Sequence, residues 1–508
     1  MQAAVTSRVS GCNTVPCKYH STLITQKGNR SAMFENFISA LNSTIKHKKS
    51  SCALSQEELA SLLKTNPEAL RAFENSYESF TSTHPANSVF NKPARNEQSG
   101  TTPATDMTQL VERIVDELAA NSAVYGYDDG METITTFKPA ETPVSLNEIL
   151  TLPKDIRPDL TGNALKRDMA GTGEALAAVW QRYITAKTDA EAQTAYNSFR
   201  QGLDILDLDW ITYKMIDTNP ISMGYWLPKI TSAVNRHGFF KIPSTKIVKL
   251  PMPLLQLTRL DYMSLSRTTL NIVDAYCRKV FGLEPDKEYF VKTGTYSSKF
   301  DFRNAHVHGK EEVRELGEYL LFIHSQAVRM ADFDLSGKHR PVIYGVSTTT
   351  EWVVRDFIPD AENNTTIYHG LPLRTEYRVF VDFDTDTVLG IHPYWDANTV
   401  KTHFARNSED PDMFHDLMTY SVNEEKLNSR YEAGKDTVVK HIEALLPDVP
   451  MHGQWSIDVM QNGNDFYIID MATAEHSAYY DETVPTELRH VQPENWLPDL
   501  SDTETDRL

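Results

Sequence analysis

Two short apolar runs near the end of the chain, each containing one aspartate, constrain its fold most strongly. Residues 455–460 contain Asp458, residues 466–471 contain Asp470, and Asn462-Gly463 lies between them. Two apolar runs joined by Asn-Gly are typical of a β-hairpin. A carboxylate within an apolar strand is costly unless a cation or a metal compensates for it. The pattern therefore favours a functional role for both aspartates.

The length of the hairpin loop decides whether the two aspartates can act together. A two-residue turn at Asn462-Gly463 would send them to opposite faces of the hairpin. A three-residue loop over 462–464 would pair Asp458 with Ile468 and Asp470 with Ser456, which places both carboxylates on one face, roughly 7 Å apart. That spacing suits magnesium bound to a triphosphate. We therefore predict the odd-length loop, with Asp458 and Asp470 as Mg²⁺ ligands.

An earlier apolar strand ends at Lys292 and enters a hydroxyl-rich loop that leads to Lys299. Backbone N–H groups near Gly294 can donate to phosphate oxygens, and the two lysines supply compensating charge. A solvated turn with two surface lysines is the alternative. The loop hydroxyls that can also donate to phosphate are those of Thr293, Thr295, Ser297 and Ser298.

Two further predicted strands each carry an arginine. In residues 351–358, side-chain alternation puts Arg355 on the same face as Val353 and Phe357. In residues 375–382, Glu376 and Arg378 share a face, where they can pair with each other or orient Arg378 toward a phosphate. A structural ion pair is the alternative interpretation for each arginine.

The order of these motifs resembles the ATP-grasp superfamily, and within it the cell division cycle protein 123 family, over roughly residues 285–475. That family has two lysines at the interval of Lys292 and Lys299, with serine between them. Its Leu-Val-Leu-Arg strand resembles Val353-Val354-Arg355, and its Glu-Phe-Arg-x-Phe-Val strand resembles the strand of Glu376 and Arg378. Its two metal-binding strands resemble those of Asp458 and Asp470.

The resemblance implies an α+β ATP-grasp fold, two α+β subdomains gripping ATP. Helical periodicity predicts a mostly helical N-terminal region before it. It implies ATP and Mg²⁺ as cofactors, with catalytic roles for Arg378 and Lys299 at the reacting end of the triphosphate. Ala472 stands where the family usually has an asparagine ligand, so a one-metal site or replacement by Glu475 is open. The implied ATP-binding residues are Lys292, Lys299, Ser297, Ser298, the hinge residues Val354, Arg355, Asp356 and Phe357, and Arg378.

Three functions are compatible with this resemblance. A ligase would activate a small-molecule or peptide carboxylate as an acyl-phosphate for attack by an amine. Arg303, His306 and His392 are candidate pocket residues, although a structural role is the favoured interpretation for each histidine. An ATP-binding assembly factor would use the N-terminal helical region to contact a protein partner. A nucleotidyltransferase would form a lysine-AMP adduct at Lys292, although the expected Lys-x-Asp-Gly motif is absent. The ligase is the preferred prediction.

Composition limits the classes of partner and the cellular location that are expected for this chain. A net charge of -19 argues against a general nucleic-acid binder, and no apolar run approaches the ~20 residues of a membrane-spanning helix. The scattered cysteines indicate neither a disulfide framework nor a zinc site. A cytoplasmic location is expected. The four cysteines are Cys12, Cys17, Cys52 and Cys277.

Composition and periodicity also predict the organisation of the chain. Ser55 and Glu58 form a capping box, and a second helix start is predicted at Thr65. Strands are expected at 246–250 and 254–257, and a helix from about Ser264. The predicted segments are a disordered leader (1–32, with Met33 as an alternative start), a small helical module (33–79), a linker (80–107), a mostly helical domain (108–216), an α/β segment (217–284), the ATP-grasp domain (285–482) and an acidic tail (483–508).

Overall fold

The structure is a computed structural model that describes residues 55–83, 104–144, 219–334, 349–405 and 410–490, with scattered residues between 148 and 195. The predicted leader, most of the linker and the last part of the tail lie outside these residues. The helices are α1 (Gln56–Thr65), α2 (Pro67–Thr83), α3 (Ala104–Ala120), α4 (Met223–His237), α5 (Met252–Leu257), α6 (Arg267–Phe281), α7 (Gly309–Arg314), α8 (Leu316–Asp334), α9 (Ala397–Ala405), α10 (Pro411–Leu445) and α11 (Tyr480–Thr483). The strands are β1 (Ala123–Asp128), β2 (Met131–Thr136), β3 (Phe240–Lys241), β4 (Thr245–Lys249), β5 (Tyr289–Thr293), β6 (His306–Val307), β7 (Glu351–Asp356), β8 (Thr366–Ile367), β9 (Leu371–Pro372), β10 (Glu376–Asp382), β11 (Thr387–Pro393), β12 (Gln454–Asn462) and β13 (Asp465–Thr473).

The first sheet has six antiparallel strands in the order β2-β1-β4-β7-β5-β6. The central strand β7 is buried on both faces because both faces are covered. Trp352 and Val354 pack into a core with α3, α6 and α8, whereas Val353 faces the other way, toward α4. This second face of β7 turns its side chains toward the other sheet.

The second sheet has five strands in the order β11-β10-β12-β13-β3. One face is apolar, with Val379 and Ile457 packed in a core with α4 and α10. The opposite face carries Arg378 and Asp458, which are cross-strand neighbours in β10 and β12. The molecule is thus a mixed α+β structure, and charged side chains of the second sheet face a cleft lined on its other side by β5 and β7.

The β12–β13 hairpin has an even-length turn, so the predicted three-residue loop is wrong. Asn462 pairs with Asp465, which leaves Gly463 and Asn464 as a two-residue turn, with φ of 63° at Gly463. A positive φ at the first turn position is typical of type II′ hairpins. The predicted outcome is nevertheless present, because a β-bulge shifts the register and Asp458 pairs directly with Asp470.

Several local predictions are confirmed and others are corrected. The Ser55–Glu58 capping box is present. The second helix starts at Pro67, and the side chain of Asn66 rather than Thr65 accepts from its first amides. The predicted strand at 254–257 is wrong, because Pro251 begins a short helix there. A short apolar run carries no reliable distinction between helix and strand.

The predicted domain boundaries cut through elements that belong together. The β1–β2 hairpin lies within the segment predicted to be mostly helical, and β1 pairs with β4 in the first sheet. β4 in turn pairs with β7, so residues 217–284 supply the centre of the sheet rather than a separate segment. At the linker, α2 extends to Thr83 and α3 begins at Ala104. Across the described ranges, no helix is both long and apolar enough to cross a membrane.

Candidate functional site

Two ion pairs meet in the cleft between the sheets. Lys292 Nζ of β5 lies 3.0 Å from Asp470 Oδ1 of β13. Arg378 of β10 donates to both carboxylate oxygens of Asp458, at 2.8 and 2.7 Å. Asp458 and Asp470 are directly paired positions of β12 and β13, so both carboxylates lie on the cleft face. The structure therefore brings together four of the predicted site residues.

Burial and charge oppose each other at these cations. Burial lowers the pKa of Lys292, and the Asp470 carboxylate only partly offsets it. Burial would also lower the pKa of Arg378, but the Asp458 carboxylate outweighs it and raises that pKa. The positive charges of the cleft are thus compensated by the same carboxylates that are predicted to bind a metal. A polyanion entering the cleft would have to replace those carboxylates as partner.

Lys299 lies against aromatic rings at the same site. Its Nζ is 4.1 Å from the ring centre of Tyr394 and 5.8 Å from that of Trp395, and Arg378 contacts the same Tyr394 ring at 4.9 Å. Burial would lower the pKa of Lys299, but Tyr394, Glu376 and Asp458 outweigh burial and raise it. Tyr394 therefore orders two cations side by side. This aromatic pair was not predicted from the sequence, although Tyr394-Trp395 directly follows a strand.

The cleft encloses a cavity of about 220 Å³ whose two ends differ. One end is apolar and aromatic, and it suits a flat heterocycle. The middle contains Lys292, Lys299, Arg378, Asp458 and Asp470. The apolar end is lined by Phe290, Phe302, Phe357, Ile358, Leu371 and Met460. Ala472 pairs with Ser456, which lies on the other side of Asp458 from Met460 along β12, and so marks the opposite end. That end is lined by Ala472, His476, Ser477, Ala478 and Tyr479.

Glu376 faces this cavity with an unsatisfied oxygen. Its Oε2 is buried and has no hydrogen-bond partner within the described part of the chain. Arg378, which shares its strand face, uses its guanidinium on Asp458 instead. Burial raises the pKa of Glu376, although Lys299 opposes this. A buried acceptor facing a cavity is a position where a bound molecule can donate a hydrogen bond.

The loop after Lys292 is built differently from the prediction. The Gly294 N–H donates to the Glu351 carbonyl at 3.0 Å, and the Tyr296 N–H donates to Thr293 Oγ1 at 2.9 Å, so neither is free for phosphate. Gly294 is required by packing, because a Cβ there would lie 2.5 Å from Glu351 Oε2. The loop still closes one side of the cavity.

The loop serines fall into two classes. Ser297 lines the cavity. Ser298 does not line it, and its hydroxyl donates to Gln326 Oε1 at 2.9 Å. The structure therefore supports Ser297 and not Ser298 as a ligand-facing residue.

The residues predicted to form the adenine hinge, Val354 to Phe357, are largely engaged in contacts within the protein. Val354 lies in the sheet and packs into the helix-covered core. The N–H groups of Asp356 and Phe357 donate to the carbonyls of Ser244 and Glu288, at 2.9 and 3.0 Å. The next amide, Ile358 N–H, makes no hydrogen bond to any described residue and lies at the cavity wall. The Ile358 N–H is thus a donor at the cavity that a ligand can use.

The remaining predicted pocket residues lie outside the cavity. Arg303 pairs with Asp301 at 3.0 Å, His306 stacks on Phe357 at 4.2 Å between ring centres, and His392 stacks on Tyr479 at 4.2 Å. These contacts are structural. Ala472 lines the cavity, whereas Glu475 does not. Among the described residues there is no group of three or more His, Cys, Asp or Glu side chains that could hold a metal.

Comparisons with known proteins give little further information. No family model and no curated protein matches the chain. A solved structure of C-terminally truncated Cdc123 from Schizosaccharomyces pombe is similar at 13% identity and a TM-score of 0.30, covering 56% of this chain and 96% of that one. The structure of Cdc123 from the same organism is similar at 13% identity and a TM-score of 0.28, covering 53% and 87%. TM-scores this low carry no argument about the function of this chain.

Proposed function

We propose that the cleft binds ATP with Mg²⁺ in the manner of an ATP-grasp protein and uses it to join a carboxylate to an amine. The observation that carries this proposal is the pair of ion pairs, Lys292 with Asp470 and Arg378 with Asp458, drawn from two sheets into one cavity. Two cations and two carboxylates at one point match what a magnesium triphosphate needs.

The ion pairs support an exchange of partners when the ligand binds. Triphosphate oxygens attract Lys292 and Arg378 away from their carboxylates. Asp458 and Asp470 would then lie uncompensated beside a polyanion, which is unfavourable in a buried site. A divalent cation relieves this repulsion. Binding of ATP and of the metal therefore has to be strongly coupled.

The two aspartates fit magnesium in chemistry and in number. Mg²⁺ prefers oxygen ligands, and it usually takes one or two protein carboxylates and completes its shell with phosphate oxygens and water. Asp458 and Asp470 would hold it, with Ala472 adding no ligand. When bound, Mg²⁺ supplies charge neutralisation for the triphosphate. Adenine is placed at the apolar end by Phe290 and by Ile358 N–H.

The proposed reaction has two steps. A substrate carboxylate oxygen attacks the γ-phosphorus, the bond to the β–γ bridging oxygen breaks, and ADP leaves. An amine then attacks the acyl-phosphate carbon, loses a proton and expels inorganic phosphate. Lys299 and Arg378 neutralise the charge on the transferring group, which is worth several kcal/mol when such donors are preorganised, roughly 3 kcal/mol for one donor. Both substrates enter beside Tyr479.

The test is the identity of the nucleotide product. Purified full-length protein is incubated with ATP, Mg²⁺ and a panel of carboxylates and amines, including short peptides, and ADP and AMP are quantified. The proposal expects ADP and phosphate that depend on both a carboxylate and an amine and that Asp470→Asn abolishes. Asp465→Asn is the matched control, because Asp465 pairs with Lys241 at the exposed end of the same hairpin.

The other outcomes identify the alternatives. ATP binding with no product for any pair would favour an assembly factor. AMP release with a covalent adduct on Lys292 would favour a nucleotidyltransferase. Either outcome would contradict the ligase.

A further inference from the structure

The bulge in β13 determines where the Asp470 carboxylate points. Val459 pairs with Ile468, but the next pair is Asp458 with Asp470, so Ile469 is the extra residue. In a regular strand, Ile468 and Asp470 would share a face. Ile468 is completely buried in the apolar core. Without the bulge, Asp470 would therefore point into that core and away from Asp458.

Arg355 contacts the backbone of this bulge from the opposite sheet. Its Nη1 donates to the carbonyl of Ile469 at 2.6 Å, and its Nη2 donates to the carbonyl of Ile468 at 3.5 Å. Its Nε donates to Thr245 Oγ1 at 3.2 Å. The side chain thus spans the cleft from β7 and binds both carbonyls at the point where the strand changes register.

The chemistry of a bulge explains why a guanidinium suits this position. The extra residue of a bulge is left out of the ladder, and a buried carbonyl without a donor costs roughly 1–3 kcal/mol. A planar guanidinium supplies several N–H donors in a fixed arrangement, whereas an ammonium is a point charge. Arg355 is itself only 4% exposed. With the bulge present, Arg355 donates to both carbonyls, and the carbonyls in turn satisfy the buried guanidinium.

We propose that Arg355 is a positioning residue that holds the Ile469 bulge in place and thereby sets Asp470 opposite Asp458. This gives Arg355 a role through the backbone of β13, in place of the nucleotide contact predicted from the sequence. The role in metal binding rests on the proposed function. The effect on register does not, because it concerns the protein alone.

The register is tested without nucleotide by disulfide trapping. Cys12, Cys17 and Cys52 are first replaced by serine, and Cys277 is kept because it is buried. One protein then carries Asp458→Cys with Asp470→Cys, and the matched protein carries Asp458→Cys with Ile469→Cys. Directly opposed strand positions are close enough for a disulfide. Each pair is oxidised with Arg355 present and with Arg355→Met.

With Arg355 present, the 458–470 pair is expected to form its disulfide at least tenfold faster than the 458–469 pair. With Arg355→Met this preference is expected to disappear or reverse. If the 458–470 pair still forms at the same rate and with the same preference, the proposal is overturned. Arg355→Lys is a milder second variant, because its ammonium can make only part of the contact with the bulge. It replaces Arg355→Met if that variant does not fold. An intermediate preference for the 458–470 disulfide is then expected.

Nucleotide affinity distinguishes positioning from direct contact. Arg355→Lys, measured by calorimetry, is expected to weaken ATP binding in Mg²⁺ at least tenfold and to change ATP binding in EDTA by less than about threefold. Equal losses in both conditions would show that Arg355 contacts the triphosphate and would overturn the positioning role. If wild-type protein binds no ATP at all, the proposed function fails, while the disulfide result still decides the register.

Discussion

Asp458 lies directly opposite Asp470 on adjacent strands, even though the turn joining those strands has two residues. An even-length turn with regular strands would have placed them on opposite faces. Each carboxylate also has its own cation, Arg378 for Asp458 and Lys292 for Asp470. The site is therefore already charge-balanced before a ligand enters, and ligand binding has to exchange those partners.

Neutralising either aspartate is expected to remove the metal dependence of nucleotide binding. Asp458→Asn and Asp470→Asn each take away a metal ligand and also free a cation for phosphate. ATP affinity in Mg²⁺ should fall at least tenfold, whereas ATP affinity in EDTA should stay the same or rise severalfold. Isothermal titration calorimetry in the two buffers measures both. Asp465→Asn should leave both affinities unchanged, and a parallel loss in EDTA would argue that the aspartates act only on folding.

Ser297 and Ser298 are expected to differ in function, with Ser297 acting on ligand binding and Ser298 on stability. Ser297 lines the cavity, whereas Ser298 donates to Gln326. Ser297→Ala should weaken ATP binding by about 1 kcal/mol, the usual worth of a hydrogen bond. Ser298→Ala should leave binding unchanged while lowering the melting temperature. The opposite pattern would show that the loop rearranges to present Ser298 to the ligand.

Glu376 is expected to cost the ligand-free protein stability at neutral pH. Its folded pKa is raised, so it destabilises the fold increasingly as pH rises from the unfolded value, near 4.3, through the folded one. Glu376→Gln should therefore raise the free energy of unfolding at pH 7 by roughly 1–3 kcal/mol, because it removes a buried charge, with little gain near pH 4. Urea denaturation at both pH values measures this. Glu487→Gln, at an exposed position, is the control, and equal effects of both variants would contradict the assignment.

Two histidines, the half-buried His369 and the buried His415, are expected to make stability fall at alkaline pH. Burial would lower the pKa of His369, but Asp301 and Asp412, each with an oxygen 3.2 Å from the ring, raise it to about 9. The pKa of His415 is likewise raised to about 9 against burial, by Asp416 and Glu74. A raised folded pKa gives stability that is complete below about pH 6.5 and is lost as pH rises through 9.

The loss should amount to roughly 3 kcal/mol at most for each histidine, since one pKa unit corresponds to about 1.4 kcal/mol. Unfolding free energies at pH 6.5 and pH 9.5 measure it. The double variant His369→Gln, His415→Gln should be less stable at pH 6.5 and should lose much of this slope. His308→Gln, at an exposed histidine, should retain it. An unchanged slope in the double variant would show that other groups titrate.

The strands that carry the site residues could be predicted from the sequence, whereas the contacts between those residues could not. The strands that carry Lys292, Arg378 and the two aspartates could be predicted because each alternates or is apolar and ends at a turn signal. The convergence of these residues on one cleft could be expected from the resemblance. The order of the motifs was therefore informative at the level of whole strands.

What the sequence did not predict depends on contacts distant along the chain. The Ile469 bulge has no local signal, because the side chain that binds its carbonyl is Arg355 in the other sheet. Gly294 indicated a phosphate loop, yet its packing against Glu351 is visible only in three dimensions. The unsatisfied oxygen of Glu376 exists because Asp458 already binds Arg378. Which of several possible partners a side chain binds depends on residues in other strands, so it cannot be predicted from the sequence of one strand.

The coupling between ATP and Mg²⁺ tests the central claim most directly. Wild-type protein is titrated with ATP at a series of Mg²⁺ concentrations, and with Mn²⁺ as a metal probe at fixed ATP. Because the exchange of ion pairs is shared by both ligands, each should raise the affinity of the other by the same factor, and we expect at least tenfold after correction for metal–ATP association in solution. Independent binding of the two ligands, or no ATP binding in the presence of Mg²⁺, would contradict the account.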